Sequence, residues 1–263
     1  MLNGRRIAVV LPAYQAGRTL QRTIAEIDRA IVDDVIVVDD ASTDETWAIA
    51  QRLPDIVAVR HERNRGYGGN QKTGFELALT RGADVIILLH PDYQYTPSLV
   101  VAMAAMMAYG TYDAVMASRI LGRAPLKGGM PRYKYVANRL LTVVENLCLG
   151  MKLSEYHSGY RGYTRQVLER VPFQQNADDF VFDNQIIAQI ILAGFRLGEL
   201  ACPTRYAEDS SSIGGWKAVK YGLGVLQTAV EYRLAQWQWY TPTYLQGVLP
   251  QNLSGRSAED VSS

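Results

Sequence analysis

The sequence is short of the features that mark several functional classes. It holds two cysteines, Cys148 and Cys202, far apart and without metal-ligand spacing, so two reduced thiols are expected rather than a disulfide framework or a zinc site. The net charge is only +1, and nothing global in it points to nucleic acid as a partner. No apolar run reaches the roughly 18 residues that a membrane span needs. VVAMAAMMAYG is too short, and the stretch from Trp216 to Tyr240 is broken by Lys217, Lys220, Gln227, Glu231 and Arg233. The opening MLNGRRIAVVLPAY has no long apolar region and no small-residue cleavage site, so no signal peptide is expected and the chain is placed in the cytoplasm. No internal repeat and no linker interrupts it. The loop after the first apolar run, LPAYQAG, is not GxGxxG, which argues against a dinucleotide-binding fold.

What is present alternates. RIAVVLPAY, DVIVVDD, VAVRHE, VIILLH and AVMASR are short apolar runs, and amphipathic or apolar helical segments separate them. STDETWAIAQRL is one of these segments, with a Ser or Thr cap and acidic residues expected in its first turn. Continuous apolar strands between helices imply an α/β fold, with a mainly parallel central sheet covered on both faces. After Arg119 the pattern changes. ILGRAPLKGGMPRYK has the composition of a mobile loop, and YVANRLLTVVENLCL reads as a helix. EYHSGYRGYTRQVLERV reads as a turn leading into a helix, DDFVFDNQIIAQIILAGFR as a helix, and LGELACPTRY as a strand. GWKAVKYGLGVLQTAVEYRLAQWQWY is expected to form a long C-terminal amphipathic helix.

In open α/β sheets ligands bind outside the carboxyl ends of the strands. Here those ends are Pro12-Ala13-Tyr14, Asp39-Asp40, Asn64 to Gly66, His90 to Gln94 and Ser118-Arg119, polar or special in every case. Carboxylates at strand ends serve two purposes in nucleotide-using enzymes. Some accept hydrogen bonds from base or ribose, and others hold a divalent metal that neutralises a leaving diphosphate. VVDDASTDE supplies Asp39 and Asp40; HPDYQ supplies Asp92, with Gln94 as a neutral oxygen ligand or sugar contact. A strand-end Asp taken alone is as readily a helix cap or turn former.

VVLPAYQAGRTL, VVDDASTDET, NRGYGGNQKTGFELAL, LLHPDYQYTP and SGYRGYTRQVLE, in that order, resemble the family 2 glycosyltransferases, and most closely their polyprenyl- or dolichyl-phosphate mannosyltransferase-like branch. The likeness covers about residues 5 to 215. It implies the GT-A fold and a metal-dependent hexosyltransferase. Such an enzyme inverts the sugar's anomeric centre, taking it from a nucleotide-diphosphate donor to a polyprenyl phosphate or a glycan intermediate. It further implies a catalytic domain over 1–215, a helical extension over 216–250 and a disordered polar tail over 251–263.

By the same likeness, Pro12, Ala13 and Tyr14 lie under the base, and Asp40, with Asp39 beside it, contacts base or ribose. Gly66, Gly68 and Gly69 open a helix near the nucleotide. The family's metal motif is Asp-X-Asp; Asp92 matches its second aspartate, and His90 stands where the first is usual. Three readings of His90 stay open: a ribose or phosphate contact beside a metal held by Asp92 and Gln94, a direct metal ligand, or else a site with weak or dispensable metal or a packed structural histidine. Imidazole suits Mn²⁺ better than Mg²⁺, and either ion is an expected cofactor.

Arg119 matches the family's strand-end arginine. Lys127, Arg132 and Lys134 are placed on a loop near diphosphate or acceptor, and Arg161 after Ser158-Gly159 is placed at the same anion. Asp183, with Asp179 one turn earlier on the same helix face, is a candidate base, or orients sugar hydroxyls if the acceptor is already an ionised phosphate. Two departures remain. EDSSSIGG puts Ser212 where the family has a lysine, with Arg205 nearby, and the usual membrane spans give way to an amphipathic helix ending WQWY. That helix leaves peripheral contact with the inner face of a membrane open, and a homo-oligomer equally. The altered HPD also leaves room for a non-catalytic nucleotide-sugar-binding or membrane-assembly relative. A nucleotidyltransferase is disfavoured by the loop after the first strand.

Overall fold

The computed structural model describes residues 1–121, 124–203 and 216–248. Its centre is a seven-stranded sheet in the order β3-β2-β1-β4-β6-β5-β7. The strands are β1 (Ile7–Ala13), β2 (Asp34–Asp39), β3 (Ile56–Arg60), β4 (Val85–Leu88), β5 (Ala114–Ser118), β6 (Arg161–Thr164) and β7 (Leu197–Ala201). β6 runs antiparallel to both β4 and β5, and every other pairing is parallel. This is the mainly parallel sheet that the apolar runs predict.

β6 is a correction to the sequence reading, which takes its segment as a turn. Arg-Gly-Tyr-Thr has no apolar run to announce a strand. It pairs because it threads between two strands already in place.

Each parallel strand divides its side chains between two cores, as period-2 geometry requires. Val9 and Leu11 of β1 pack with α1 (Leu20–Ala25), α2 (Thr46–Arg52) and α4 (Val100–Ala108). Ala8 and Val10 face α3 (Gly66–Thr80), α7 (Arg165–Arg170) and α8 (Phe182–Leu192) on the other side. Burial on both faces explains why these strands read as unbroken apolar runs. The expected Ser or Thr cap on α2 is replaced: Asp44 Oδ1 accepts the Thr46 N–H at 3.0 Å, from just outside the helix.

Between β5 and β6 lie α5 (Ala124–Lys127) and α6 (Arg132–Leu149), so Arg132 and Lys134 open a helix instead of riding a loop. Pro131 stands at its N-cap. Proline lacks the N–H that a helix start leaves orphaned, so the proline read as a loop signal is here a start signal. The last long helix, α9 (Trp216–Gln236), packs on α6 and α8. Its Ala229, Tyr232 and Ala235 join Leu149, Ile187, Leu192 and the segment Tyr244–Val248 in a third core cluster. No helix among the described residues is long and apolar enough to cross a membrane. Arg205, Ser212 and the tail 251–263 lie outside the described residues, as does the Lys127 side chain.

Candidate active site

Two cavities open along the carboxyl edge of the sheet and meet at Tyr67, His90 and Asp92. The first, of about 540 Å³, is lined by the ends of β1 and β2 through Pro12, Tyr14 and Asp40, and by Asn64, Gly66 and Asn70 around the start of α3. The second, of about 450 Å³, is lined by Gln94, Tyr95, Arg119, Lys134, Asp183 and a set of apolar side chains from α6 and α9. The wall between them is shared by Phe180 and by Tyr221 of α9. The expected boundary at residue 215 therefore runs through the wall of the site.

Local backbone geometry makes this edge. Gln15, Ala41 and Tyr93, in the loops after β1, β2 and β4, all take positive φ (55°, 57° and 58°). Such conformations cost a non-glycine residue of order 1 kcal/mol and persist where surrounding contacts impose them. At Tyr93 the contacts are visible. Its ring lies under the Arg22 guanidinium at 3.8 Å and its hydroxyl meets Glu26, while the Gln94 N–H closes on Asp92 Oδ1 at 3.1 Å. The bend thereby turns Asp92 and Gln94 toward the cavities.

Asp40 is buried and accepts three hydrogen bonds. Its Oδ1 takes His61 Nδ1 at 2.7 Å and the Arg65 N–H at 2.8 Å, and its Oδ2 takes the Gly66 N–H at 3.0 Å. It caps α3 from the neighbouring strand while still lining the first cavity. Gly66 has φ +84°, and a Cβ there would lie 2.6 Å from Asp178 O, so only glycine makes this turn. The close approach that the glycines permit is thus to the 177–182 segment. Asp39 does not reach either cavity; its carboxylate pairs with Arg60 Nε at 3.1 Å and accepts the Ser42 N–H. Ala13 contributes its carbonyl to the Asp40 N–H and does not line the cavity.

At the junction one hydrogen-bond chain sets the protonation. Tyr67 Oη donates to Asp183 Oδ2 at 2.7 Å and lies 3.0 Å from His90 Nε2. Burial, with the Asp183 charge beside it, pushes the Tyr67 hydroxyl well above its ordinary range, so it keeps its proton. Burial also lowers His90, so the imidazole is neutral. With the Tyr67 hydrogen on Asp183, the phenol oxygen accepts from His90 Nε2–H, and Nδ1 carries the lone pair. Asp183 Oδ1 takes Gln71 Nε2 at 3.2 Å. Gly159 makes this possible: a Cβ there would lie 2.5 Å from His90 Nε2 and 2.8 Å from Tyr67 Oη.

A model of the Glycosyl transferase family 2 matches residues 8–171. The chain belongs to glycosyl transferase family 2. It is 25% identical over 224 residues to the UDP-N-acetylglucosamine–dolichyl-phosphate N-acetylglucosaminyltransferase of Methanococcus voltae, covering 79% of this chain and 89% of that one. It is 26% identical over 203 residues to the polyprenol monophosphomannose synthase of Mycolicibacterium smegmatis, covering 74% and 76%. Among solved structures, it resembles glucosyl-3-phosphoglycerate synthase of Mycobacterium tuberculosis in complex with Mn²⁺, UDP-glucose and phosphoglyceric acid, at TM-score 0.61 and 20% identity over 91% of this chain and 81% of that one.

In this glycosyltransferase two expected anion contacts are placed elsewhere. Arg161 is 1% exposed, and its guanidinium donates to three backbone carbonyls: Ser158 at 2.6 Å, Tyr156 at 2.7 Å and Asp183 at 2.5 Å. It lines neither cavity and instead fixes the chain around Asp183, whose Oδ2 lies 3.7 Å away. Arg132 is exposed on the first turn of α6 and lines neither cavity, while Lys134 lines the second. Asp179 precedes α8 instead of lying on it, where its Oδ1 takes the Val181 N–H. Arg119 lines the second cavity with its guanidinium forked on Glu155 (Nη2–Oε2 2.7 Å) and on His157 O at 2.8 Å. Burial pushes Glu155 up, but the Arg119 charge and hydrogen bonds outweigh it and hold the carboxylate low.

Three site residues escape the sequence reading: Tyr67, Asn70 and Tyr221. Asn70 is 3% exposed and donates to Val38 O at 3.0 Å, but its Oδ1 has no partner among the described residues although it lines the first cavity. A buried acceptor left bare at a cavity wall calls for a donor from a ligand. No three His, Cys, Asp or Glu side chains among the described residues gather into a metal cage. The junction offers one carboxylate, Asp92, between an imidazole and an amide. That set fits a divalent ion whose remaining ligands are diphosphate oxygens and water, and not a free-standing structural metal.

Proposed function

We propose that this family 2 enzyme transfers a sugar, with inversion, from a nucleotide-diphosphate donor to a polyprenyl phosphate. The observation that carries this reading is the pair of cavities meeting at Asp92. One is built on the nucleotide-side strand ends around Asp40 and Asn64, with a bare acceptor at Asn70. The other is walled by Met130, Tyr133, Leu141 and Val219 around two cations, Arg119 and Lys134. An apolar chamber with cations inside suits an anion on a hydrocarbon chain better than a free glycan. The names of the M. voltae and M. smegmatis relatives, a dolichyl-phosphate N-acetylglucosaminyltransferase and a polyprenol monophosphomannose synthase, agree.

Residues 1–215 carry the chemistry in this reading, and 216–250 form the extension that closes over it. Asp40 and Asn70 meet the nucleoside. Asp92, with Gln94 and the Nδ1 side of His90, would hold Mn²⁺ or Mg²⁺. That ion supplies charge neutralisation for the departing nucleoside diphosphate. A phosphate monoester is an ionised nucleophile and needs no base, so Asp183, with both oxygens already accepting, orients sugar hydroxyls. Arg119 and Lys134 hold the attacking phosphate against its own charge repulsion from the donor.

The chain meets the inner face of a membrane peripherally, from the cytoplasm. Val136, Leu140, Val143, Val144 and Leu147 form one exposed stripe on α6, with Leu140 65% and Leu147 73% exposed. Of the charged side chains of α6, Arg132 is exposed, Lys134 and Arg139 are half-buried, and the one acidic residue, Glu145, is buried. Trp216, Val219, Leu223 and Val230 of α9, followed by Trp237 and Trp239, add a second exposed apolar face. An apolar stripe among cations fits an anionic lipid surface.

The experiment is transfer from UDP-glucose, UDP-N-acetylglucosamine or GDP-mannose to a short polyprenyl phosphate with Mn²⁺ or Mg²⁺, beside flotation with anionic vesicles. Product with one donor, dependent on the lipid phosphate, is expected, as is vesicle binding lost in Leu140→Glu/Leu147→Glu. Donor turnover only with soluble glycans overturns the acceptor. A dimer in solution dissociated by the same double variant, without vesicle binding, replaces the membrane with a second copy.

A further inference from the structure

One buried polar set near Asp183 has no part in the chemistry above. Glu145 of α6 and His157, in the loop before β6, face each other at 3.3 Å, Oε2 to Nε2. Neither atom has a hydrogen-bond partner elsewhere among the described residues. Around them the donors can be followed one by one. Asn184 Nδ2 donates to Glu145 Oε1 at 2.6 Å, and Asn184 Oδ1 accepts from Tyr221 Oη at 3.0 Å. The Tyr221 oxygen lies 2.9 Å from His157 Nδ1 and, with its own hydrogen directed to Asn184, accepts from it. His157 therefore carries its proton on Nδ1, leaving a bare lone pair on Nε2 toward Glu145. A proton on Glu145 Oε2 closes the circuit, and each of the four side chains then both donates and accepts. Burial favours that neutral state on both sides. It raises Glu145 to about 8 and lowers His157 to about 3.

We propose that the closed ring of Glu145, His157, Tyr221 and Asn184 is a positioning device, holding Tyr221 of α9 as the wall shared by the donor and acceptor chambers. The inference rests on the transferase reading for what the chambers hold. The ring ties together four elements: α6, the loop before β6, α8 and α9. It is also bonded to the site on two sides, since Asn184 follows Asp183 and the His157 carbonyl holds Arg119 at 2.8 Å. The charges facing the ring come in pairs. Arg119 lies against Glu155, and Arg161 lies 3.7 Å from Asp183; on α9 itself, Lys220 lies 3.7 Å from Asp179. The ring is thus the neutral centre of a charged neighbourhood. A fully satisfied buried network of this kind specifies one geometry, and losing one proton from it leaves a buried charge facing a lone pair.

Two measurements on the full chain test this. In the side-chain ¹⁵N spectrum, with the signal assigned through His157→Gln, His157 should be neutral and protonated on Nδ1 at pH 7. An Nε2–H tautomer or an imidazolium overturns the ring. The second is the pH dependence of kcat/KM with whichever of UDP-glucose, UDP-N-acetylglucosamine and GDP-mannose is turned over. Wild type should lose activity above pH about 8, the point to which burial raises Glu145. Glu145→Gln, whose amide N–H can face Nε2 while its oxygen keeps Asn184, should lack that alkaline limb. Tyr221→Phe should lower kcat/KM about tenfold, the effect of stranding two buried polar partners. A limb unchanged in Glu145→Gln, or full activity in Tyr221→Phe, overturns the positioning role. If none of the three donors is turned over, the transferase reading falls, while the spectrum still decides the ring.

Discussion

Tyr67 Oη donates to Asp183 at 2.7 Å, and that single bond decides which nitrogen of His90 is left with a lone pair. The histidine standing in the place of an acidic metal ligand is thereby fixed in one tautomer by Tyr67 of α3, while burial keeps it neutral. Tyr67→Phe is expected to remove both bonds at once. Without its acceptor His90 can turn, and Asp183 loses its nearest donor. A fall of roughly tenfold to a hundredfold in kcat/KM is expected, as for the loss of a buried hydrogen bond to a charged group. Initial rates over a donor series measure it, and unchanged rates would remove Tyr67 from the site.

Asp92→Ala tests the junction directly. It lies on the boundary of both cavities, and transfer should fall by at least about 10³, the scale on which electrostatic stabilisation of a transition state operates. The thermal midpoint should stay within a few degrees of wild type, because the carboxylate sits at the sheet's edge and not in its cores. Near-normal turnover would sink the metal assignment.

Gly159→Ala asks whether the histidine's position matters. The added Cβ would sit 2.5 Å from His90 Nε2, so the imidazole must move or the loop must. Overpacking of this kind costs about 1–3 kcal/mol. Denaturant unfolding should record that loss, and donor turnover should fall with it. A variant as stable and active as wild type would show that His90 has room that the structure denies it.

Stability should depend on pH in two opposite senses. Glu145 is held protonated in the fold up to about 8, against an ordinary value of 4.5, so its contribution is full below 4.5 and is lost as pH rises through about 8. His157 is pushed down to about 3 from 6.5; its contribution is full above 6.5 and is lost as pH falls toward 3. Glu145→Gln should therefore flatten the alkaline side of the stability curve between pH 5 and 8. Unfolding curves at several pH values read this out, and parallel losses in variant and wild type would contradict it.

How far the sequence could be read depended on what kind of contact places each residue. β1, β2, β4 and β5 are buried on both faces, so their apolar runs are plain, and the residues that follow them fall at one edge by topology alone. β6 escaped notice because its pairing partners, not its composition, make it a strand. Arg161 looked like an anion contact for the same reason: only the fold reveals that three carbonyls surround its guanidinium. Asp40 was legible as a site residue, yet its second duty as the cap of α3 was not, since the cap and the helix belong to different segments. Tyr67 sat in view between glycines at a helix start. Tyr221, some 130 residues beyond His90 along the chain, carries no local signal at all.

The wall formed by Tyr221 divides the protein's labour in an unexpected place. The family match ends at residue 171, and every strand-end motif lies before that point, yet the two chambers are completed by residues 218–221. Both chambers are therefore built from two stretches of polypeptide, the strand ends and α6 before that limit and the segment from Phe180 with α9 beyond it. Chimeras that exchange only the final helix among relatives should therefore change acceptor preference and turnover together, because Tyr221 faces both chambers.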